Sequence, residues 1–378
     1  MGLEQKLAAL NSTLLASMLM LPAAQAAKLG DMDIAVNGYL TAGMTSSDND
    51  RGEFLHTVDD DFSFDVDSVM GLRVGIQVDD KLSVALQVRA SGRDTDDSLE
   101  VDWAYADYQV NDELNVRGGR IAFPVFMISE VIEVGYAYPW IRPPVEVYGQ
   151  VPFTSMYGAD MLYRTSWGGI DWTVQPFLGN EDTEGLLGIT NANSAAFGNL
   201  IPAGSVEAEF DVEDIIGLNI SADLGWSSYR VGYVQAEGTA TSPAIFQTLN
   251  LIQGVDASFF NAGMTLDWEN WVGYSEFTHT KLDGLYPDST AWYLTLGYRF
   301  GKFLPHVTYA DVTADDNSPL GPEQDSTTLG LRYELSDTSA LKVEWQRTET
   351  DSGNAGLSFS NDPGDTVNIF SVAFDMVF

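Results

Sequence analysis

Polar and apolar residues alternate with a period of two along most of this chain. Leu82, Val84, Leu86 and Val88 alternate with Ser83, Ala85, Gln87 and Arg89. Trp292, Leu294, Leu296, Tyr298 and Phe300 alternate with Tyr293, Thr295, Gly297 and Arg299, and Leu341, Val343 and Trp345 with Lys342, Glu344 and Gln346. Successive side chains of a strand point to opposite faces, so each such segment predicts a strand with one greasy and one polar side. Sixteen can be placed, at approximately 33–44, 68–79, 82–92, 99–110, 114–121, 157–167, 170–180, 216–225, 228–238, 257–268, 271–281, 289–300, 303–313, 326–336, 339–350 and 365–378. Short turns join alternate pairs, as at Asn111-Asp112-Glu113, Gly168-Gly169 and Gly301-Lys302, while the other connections are longer and polar. That short–long rhythm predicts an all-β, transmembrane, antiparallel up-and-down barrel. A strand of about 11 residues tilted by about 40° rises roughly 28 Å, enough to cross the apolar band.

A soluble sandwich would turn the apolar faces inward and the charged faces to water, and has no use for alternating loop lengths. Trp103, Trp167, Trp172, Trp226, Trp268, Trp271, Tyr298 and Phe300 lie near strand ends and predict interfacial girdles. The segment 181–215 is the least regular. Its alternating Val206 to Val212 reads as a hairpin arm within a long outer loop.

Residues 1–26 read as a secretory signal peptide, with Lys6 near the start, a short apolar core from Leu14 to Pro22, and a small-x-small site at Ala24-Gln25-Ala26. The apolar run is shorter than the roughly 20 residues a helical anchor needs. Residues 27–378 then form one domain. In the last strand Phe370, Val372, Phe374, Met376 and Phe378 share one face, and Ser371, Ala373, Asp375 and Val377 the other. This pattern resembles the C-terminal strand of Gram-negative outer-membrane barrels. The resemblance implies that Phe374, Met376 and Phe378 are read by the barrel-assembly machinery, and that the chain resides in the outer membrane.

Composition narrows the chemistry. There is no cysteine, so thiol catalysis and cysteine metal sites are excluded. The 55 acidic residues against 18 basic give a formal charge of −37, and phosphate contacts need Lys and Arg, so nucleic acid is not an expected partner. Eight acidic residues lie between Thr45 and Asp67, and a second cluster holds Asp311, Asp315, Asp316, Glu323 and Asp325. These read as solvated loops. Asp48-Asn49-Asp50 and Asp315-Asp316-Asn317 offer oxygen ligands that would bridge through divalent cations to anionic headgroups, but neither has a complete calcium-loop spacing. Only His56, His279 and His306 are available as imidazole bases, and no G-x-S-x-G elbow is present. The chain is therefore expected to be no enzyme and to need no cofactor or metal.

The longest early connection, 122–156, is unlike a solvated loop. It holds Pro124, Pro139, Pro143, Pro144 and Pro152, many aromatics and few charges. An apolar loop stiffened in this way must bury itself, and a sixteen-stranded lumen is wide enough to receive it. Arg73 and Arg89 lie seven and nine residues from Asp80 at one short turn, and Arg120 eight from Asp112 at another. Similar distances put these arginines near mid-membrane. Arg117 shares their lumen parity, whereas Arg120 requires a bulge that Gly118-Gly119 would supply. Arg164, Arg230, Arg299 and Arg332 also have lumen parity and would hydrate the wall. Like charges at this depth must border water and face counter-charges.

Gly119-Arg120 just before the long loop, with Glu130, Glu133 and Glu146 within it, resembles the sixteen-stranded general porins. In that family the third outer loop folds inward, and an arginine at the end of the fifth strand faces loop carboxylates. The resemblance implies a constriction with Arg73, Arg89, Arg117 and Arg120 on the basic side and Glu130, Glu133, Arg142 and Glu146 on the loop. It also implies a homotrimer set among outer-membrane lipids and lipopolysaccharide. The family's Pro-Glu-Phe-Gly-Gly turn is absent, which leaves the path of this loop open. The expected function is a porin: a water-filled channel for passive diffusion of small hydrophilic solutes and ions. The alternatives are a substrate-selective channel, with Tyr136, Tyr138, Trp140 and Tyr148 stacking on sugars or merely packing the loop, and a plugged receptor or structural barrel.

Overall fold

The computed structural model describes residues 25–29, 32–49, 53–55, 58–92, 99–189, 194, 204–241, 252–283, 287–315, 321–350, 357, 359–360 and 366–378. The first twenty-four residues of the expected signal peptide lie outside them. Sixteen strands form the wall: β1 (Met32–Ser47), β2 (Val69–Gln77), β3 (Leu82–Ser91), β4 (Glu100–Gln109), β5 (Leu114–Ala122), β6 (Ser155–Trp167), β7 (Ile170–Ile189), β8 (Gly204–Asp223), β9 (Ser227–Thr241), β10 (Ile252–Trp268), β11 (Trp271–Leu282), β12 (Ser289–Tyr298), β13 (Phe303–Ala314), β14 (Glu323–Ser336), β15 (Ser339–Thr350) and β16 (Thr366–Val377). Each pairs antiparallel with the next, and β16 pairs with β1 from Ile369↔Ser47 to Val377↔Tyr39, which closes the barrel. Closure satisfies every ladder internally, as the hydrocarbon requires. At the seam the Gly38 amide donates to the Phe378 carbonyl at 2.8 Å, and the Phe378 amide to the Gly38 carbonyl at 3.0 Å. The short segment Gln25–Leu29 pairs with the start of β1 and spans the cleavage point expected after Ala26.

The faces are as the alternation predicts. On β12 the outward Leu294 and Leu296 are 55% and 44% exposed, while the inward Tyr293 and Thr295 are fully buried. On β16 the inward Ser371, Ala373 and Asp375 are buried. Trp167, Trp226, Trp268, Trp271 and Phe300 are exposed at the short-turn end of the wall, where an amphipathic ring suits the interface. Trp103 departs from this set and lies inside. Strands β7 and β8 run beyond the expected limits, pairing from Asp171↔Asp223 to Ile189↔Gly204. The alternating Val206 to Val212 is thus the far end of a barrel strand rather than a separate arm. The ladder shifts between Val212 and Ile215, with Asp214 at φ 50°. Such a bulge bends a strand where it leaves the regular wall.

The acidic connection between β1 and β2 is only partly solvated. Phe54, Val58 and Val66 are buried against Val367 and Ile369 of β16.

Candidate pore constriction

The loop 123–154 leaves β5 and turns into the barrel. Its apolar side chains need cover, and the lumen supplies it: Phe123, Val125, Phe126, Tyr138, Trp140, Val147, Tyr148 and Phe153 join one buried cluster with Phe177, Val234, Phe259, Ala291, Tyr293, Ala310 and Val312 of the wall. Burial of this kind is the main force holding a chain segment in place. Phe126 meets Phe259 edge-on at 5.5 Å, and Trp140 meets Tyr293 at 5.6 Å. The aromatics that sugar stacking would use are thus spent on packing, apart from the half-buried Tyr136.

The loop satisfies part of its backbone internally, as where the Val131 amide donates to the Ile128 carbonyl at 2.8 Å, and polar and charged wall side chains meet other groups. Asn219 and Arg230 donate to the Pro124 carbonyl at 2.7 and 2.5 Å, and Arg230 also to Phe126 O at 3.0 Å. Glu276 accepts from the Met127 amide at 2.9 Å and from the Tyr148 hydroxyl at 2.7 Å. Arg332 donates to the carbonyls of Tyr136 and Tyr138 at 2.6 and 2.9 Å. The fully buried Lys342 donates to the carbonyls of Gly135 and Trp140 and pairs with Asp375 at 2.8 Å. Glu344 accepts from the Ile141 amide at 2.8 Å. Arg230 and Arg332, expected to hydrate the wall, therefore anchor the loop. Arg299 pairs with Asp267 instead.

The opposite wall, β2 to β5, carries the arginine row. Arg73 donates to the Tyr105 hydroxyl at 3.0 Å and lies over the Trp103 ring at 5.0 Å. Arg89 is held by Asp102 at 2.9 Å and by Glu100. Arg117 meets Asp160 on β6 and reaches across to Glu130 on the loop at 2.9 Å, with its guanidinium 5.6 Å from the Tyr105 ring. Tyr105 therefore links Arg73 to Arg117. Trp103 and Tyr105 keep the lumen parity of their partners Gln87 and Ala85, and just beyond them the ladder passes from Gln87↔Trp103 to Val88↔Val101, a bulge that leaves Asp102 as an extra residue on the same side. Trp103 reads as a girdle aromatic from its place near a strand end and Tyr105 carries no charge, which is why both are missing from the sequence-derived site.

Arg120 does not join the row. Strand β5 stays in register with both neighbours, without the bulge that Arg120 needs, even though Gly119 sits at φ 129°. Arg120 accordingly shares a face with Tyr157, over whose ring it lies at 4.7 Å, and pairs with Glu181 at 2.7 Å. Arg142 does not approach the loop carboxylates either. It pairs with Asp67 and donates to Ser371 at 2.8 Å, behind the loop. Glu146 is fully buried, with Oε1 accepting from Gln324 at 2.7 Å, and burial pushes its carboxyl above the usual carboxylate range. It is an anchor and not a pore-lining charge.

What remains between loop and row is a narrow cleft lined by Gln87, Asp102, Trp103, Glu130, Ile132 and Glu133, with Ser129, Val134 and Thr154 beside them. Toward the other end of the molecule, Phe374, Met376 and Phe378 share the outward face of β16, opposite the buried Ala373 and Asp375. At the outer rim His279, Asp288 and Asp315 bring one potential ligand atom each within 4.8 Å of one another, and Asp316 and Asn317 lie outside the described residues.

The family described as Gram-negative porins matches residues 12–353. Solved structures similar to the chain include the outer-membrane channel DcaP of Acinetobacter baumannii, at 12% identity and a TM-score of 0.59 over 94% of this chain and 100% of that one. An anion-selective porin from Comamonas acidovorans aligns at 15% identity and a TM-score of 0.56 over 92% and 100%. The trimer form of OmpT, an outer membrane protein of Vibrio cholerae, aligns at 13% identity and 0.58 over 92% and 100%. No curated protein matches the sequence.

Proposed function

We propose, on the premise that this chain belongs to the Gram-negative porin family, that solutes cross it along one side only, through the cleft between the loop and the β2–β5 wall. A porin is an outer-membrane channel for passive diffusion of small solutes, and that is the function of this protein. The observation that carries the proposed path is the asymmetry of the lumen. The loop is packed against the β7–β13 side and pinned to β14–β16, whereas it meets the β3–β4 wall across the cleft lined by Asp102, Trp103, Glu130 and Glu133. Fixed charges there replace part of a polar solute's hydration, which an apolar solute cannot exploit, so the cleft sieves by size and polarity. No step of this transport is catalytic. The assembly is a homotrimer, in keeping with the trimer form of the structurally similar OmpT. Lipid and lipopolysaccharide cover the outward apolar face, the assembly machinery reads Phe374, Met376 and Phe378, and the signal peptide is removed after Ala26.

The absence of native cysteine makes the path testable. Single-channel steps of the purified protein in planar bilayers should persist in Ile132→Cys and be blocked when a thiosulfonate reagent modifies it. The same reagent should leave Leu294→Cys, on the outward face, unaffected. A conducting channel indifferent to modification at Ile132 would place the path elsewhere, and a silent barrel would overturn transport itself.

A further inference from the structure

We infer that the cleft selects small organic cations, ammonium or guanidinium groups carried on a short apolar body; this rests on the pore reading above. The arginine row suggests an anion path, but the arginines are already committed. Arg89 is held by Glu100 and Asp102, Arg117 by Asp160 and Glu130, and Arg73 by Tyr105 and the face of Trp103. Three cations are thus set among five carboxylates, counting Glu133, and the excess is negative. Every charged side chain that lines the cleft is acidic: Asp102, Glu130 and Glu133. Glu133 makes no ion pair or hydrogen bond among the described residues, so its charge is uncompensated at short range.

A narrow passage lined by charge of one sign, between walls of low dielectric, concentrates counter-ions. The rest of the lining decides which cations gain most. Trp103, Ile132 and Val134 present apolar surface beside the carboxylates. A strongly hydrated inorganic ion gains nothing from these groups. An alkylammonium or guanidinium solute places its charge at Glu133 and its body on that surface. An anion of equal size meets the same surface with no uncommitted cation to receive it.

The test is permeability of the full-length protein in planar bilayers, beginning with KCl and then comparing n-butylammonium with butyrate under bi-ionic conditions. Butylammonium is expected to be preferred by on the order of tenfold. Glu133→Gln, which removes a charge that holds nothing in place, is expected still to conduct KCl, at a lower level, and to lose most of that preference, whereas Glu133→Asp, which keeps the charge, is expected to retain both. Conductance with equal or reversed preference would overturn the inference and leave the pore reading standing. So would a preference unchanged in Glu133→Gln, which would assign it to the acidic outer loops. No KCl conductance at all would instead remove the pore reading on which this rests.

Discussion

The indole Nε1–H of Trp140 bonds to the Thr308 hydroxyl at 2.9 Å, so a loop that leaves the wall at β5 is fastened to β13, halfway around the sixteen-stranded ring. Thr295 on β12 accepts a second bond from the same nitrogen at 3.0 Å. Trp140 is 1% exposed and is the largest fully buried side chain among the described residues. Truncating a buried Trp removes about 3–5 kcal/mol of packing. Trp140→Ala should therefore slacken the loop without opening the barrel, and single-channel conductance should rise. Wild-type conductance in this variant would show that the crossing does not limit flow.

Arg117 and Glu130 form one ion pair with unequal stakes. The Asp160 carboxylate behind Arg117 has no exposed surface, whereas Glu130 is 56% exposed. Arg117→Ala strands a buried charge, which costs about 3–5 kcal/mol, less what the 2.7 Å bond from Gln175 to Asp160 retains. Glu130→Gln should cost less than about 1 kcal/mol. Heat-dependent gel mobility of the folded barrel should separate the two variants clearly, and equal losses would contradict this division.

Glu146 makes the loop sensitive to pH. Burial raises its carboxyl above the ordinary 4.5, so the folded protein holds this proton more tightly than the unfolded chain does. Its contribution to stability is complete below about pH 4.5 and is lost as pH rises through the raised folded value. Glu146→Gln keeps the neutral form at every pH, and should raise the melting temperature at neutral pH with little change in acid. A variant less stable than wild type at pH 7 would mean that the charged form is the favoured one.

Gly43 makes room for the residue that holds Arg142. A Cβ there would lie 2.2 Å from Asp67 Cβ and 2.9 Å from its carbonyl oxygen. Gly43→Ala should push Asp67 off the wall at about 1–3 kcal/mol and loosen the clasp on Arg142. Amide exchange at Ile141, protected by Glu344, should accelerate in this variant. Unchanged exchange would show that Arg142 holds without Asp67.

The barrel was legible because period two and short turns are both local signals. Strand faces such as Leu294 against Tyr293 follow from parity alone. Strands β7 and β8 outrun the sequence reading because residues 181–189 and 204–215 extend past the region where an apolar outer face is required, so their pattern relaxes. The buried loop was legible from its prolines and aromatics, but its partners were not. Lys342, Glu344 and Asp375 read only as polar lumen residues, and their meeting with Gly135, Trp140 and Ile141 depends on where a distant segment crosses. Parity alone separates Arg117 from Arg120, and the resemblance to a family motif drew Arg120 in wrongly. The extra residue at Asp102 left no mark that alternation can register.

The wall grips the inward loop at Pro124, Phe126, Gly135, Tyr136, Tyr138 and Trp140 by main-chain oxygens. Such grips are indifferent to which side chain each position carries. Permeation properties and foldability are consequently separable variables here: residues such as Glu133 and Ile132 can be exchanged to retune what passes, while the scaffold that fixes the aperture is left alone.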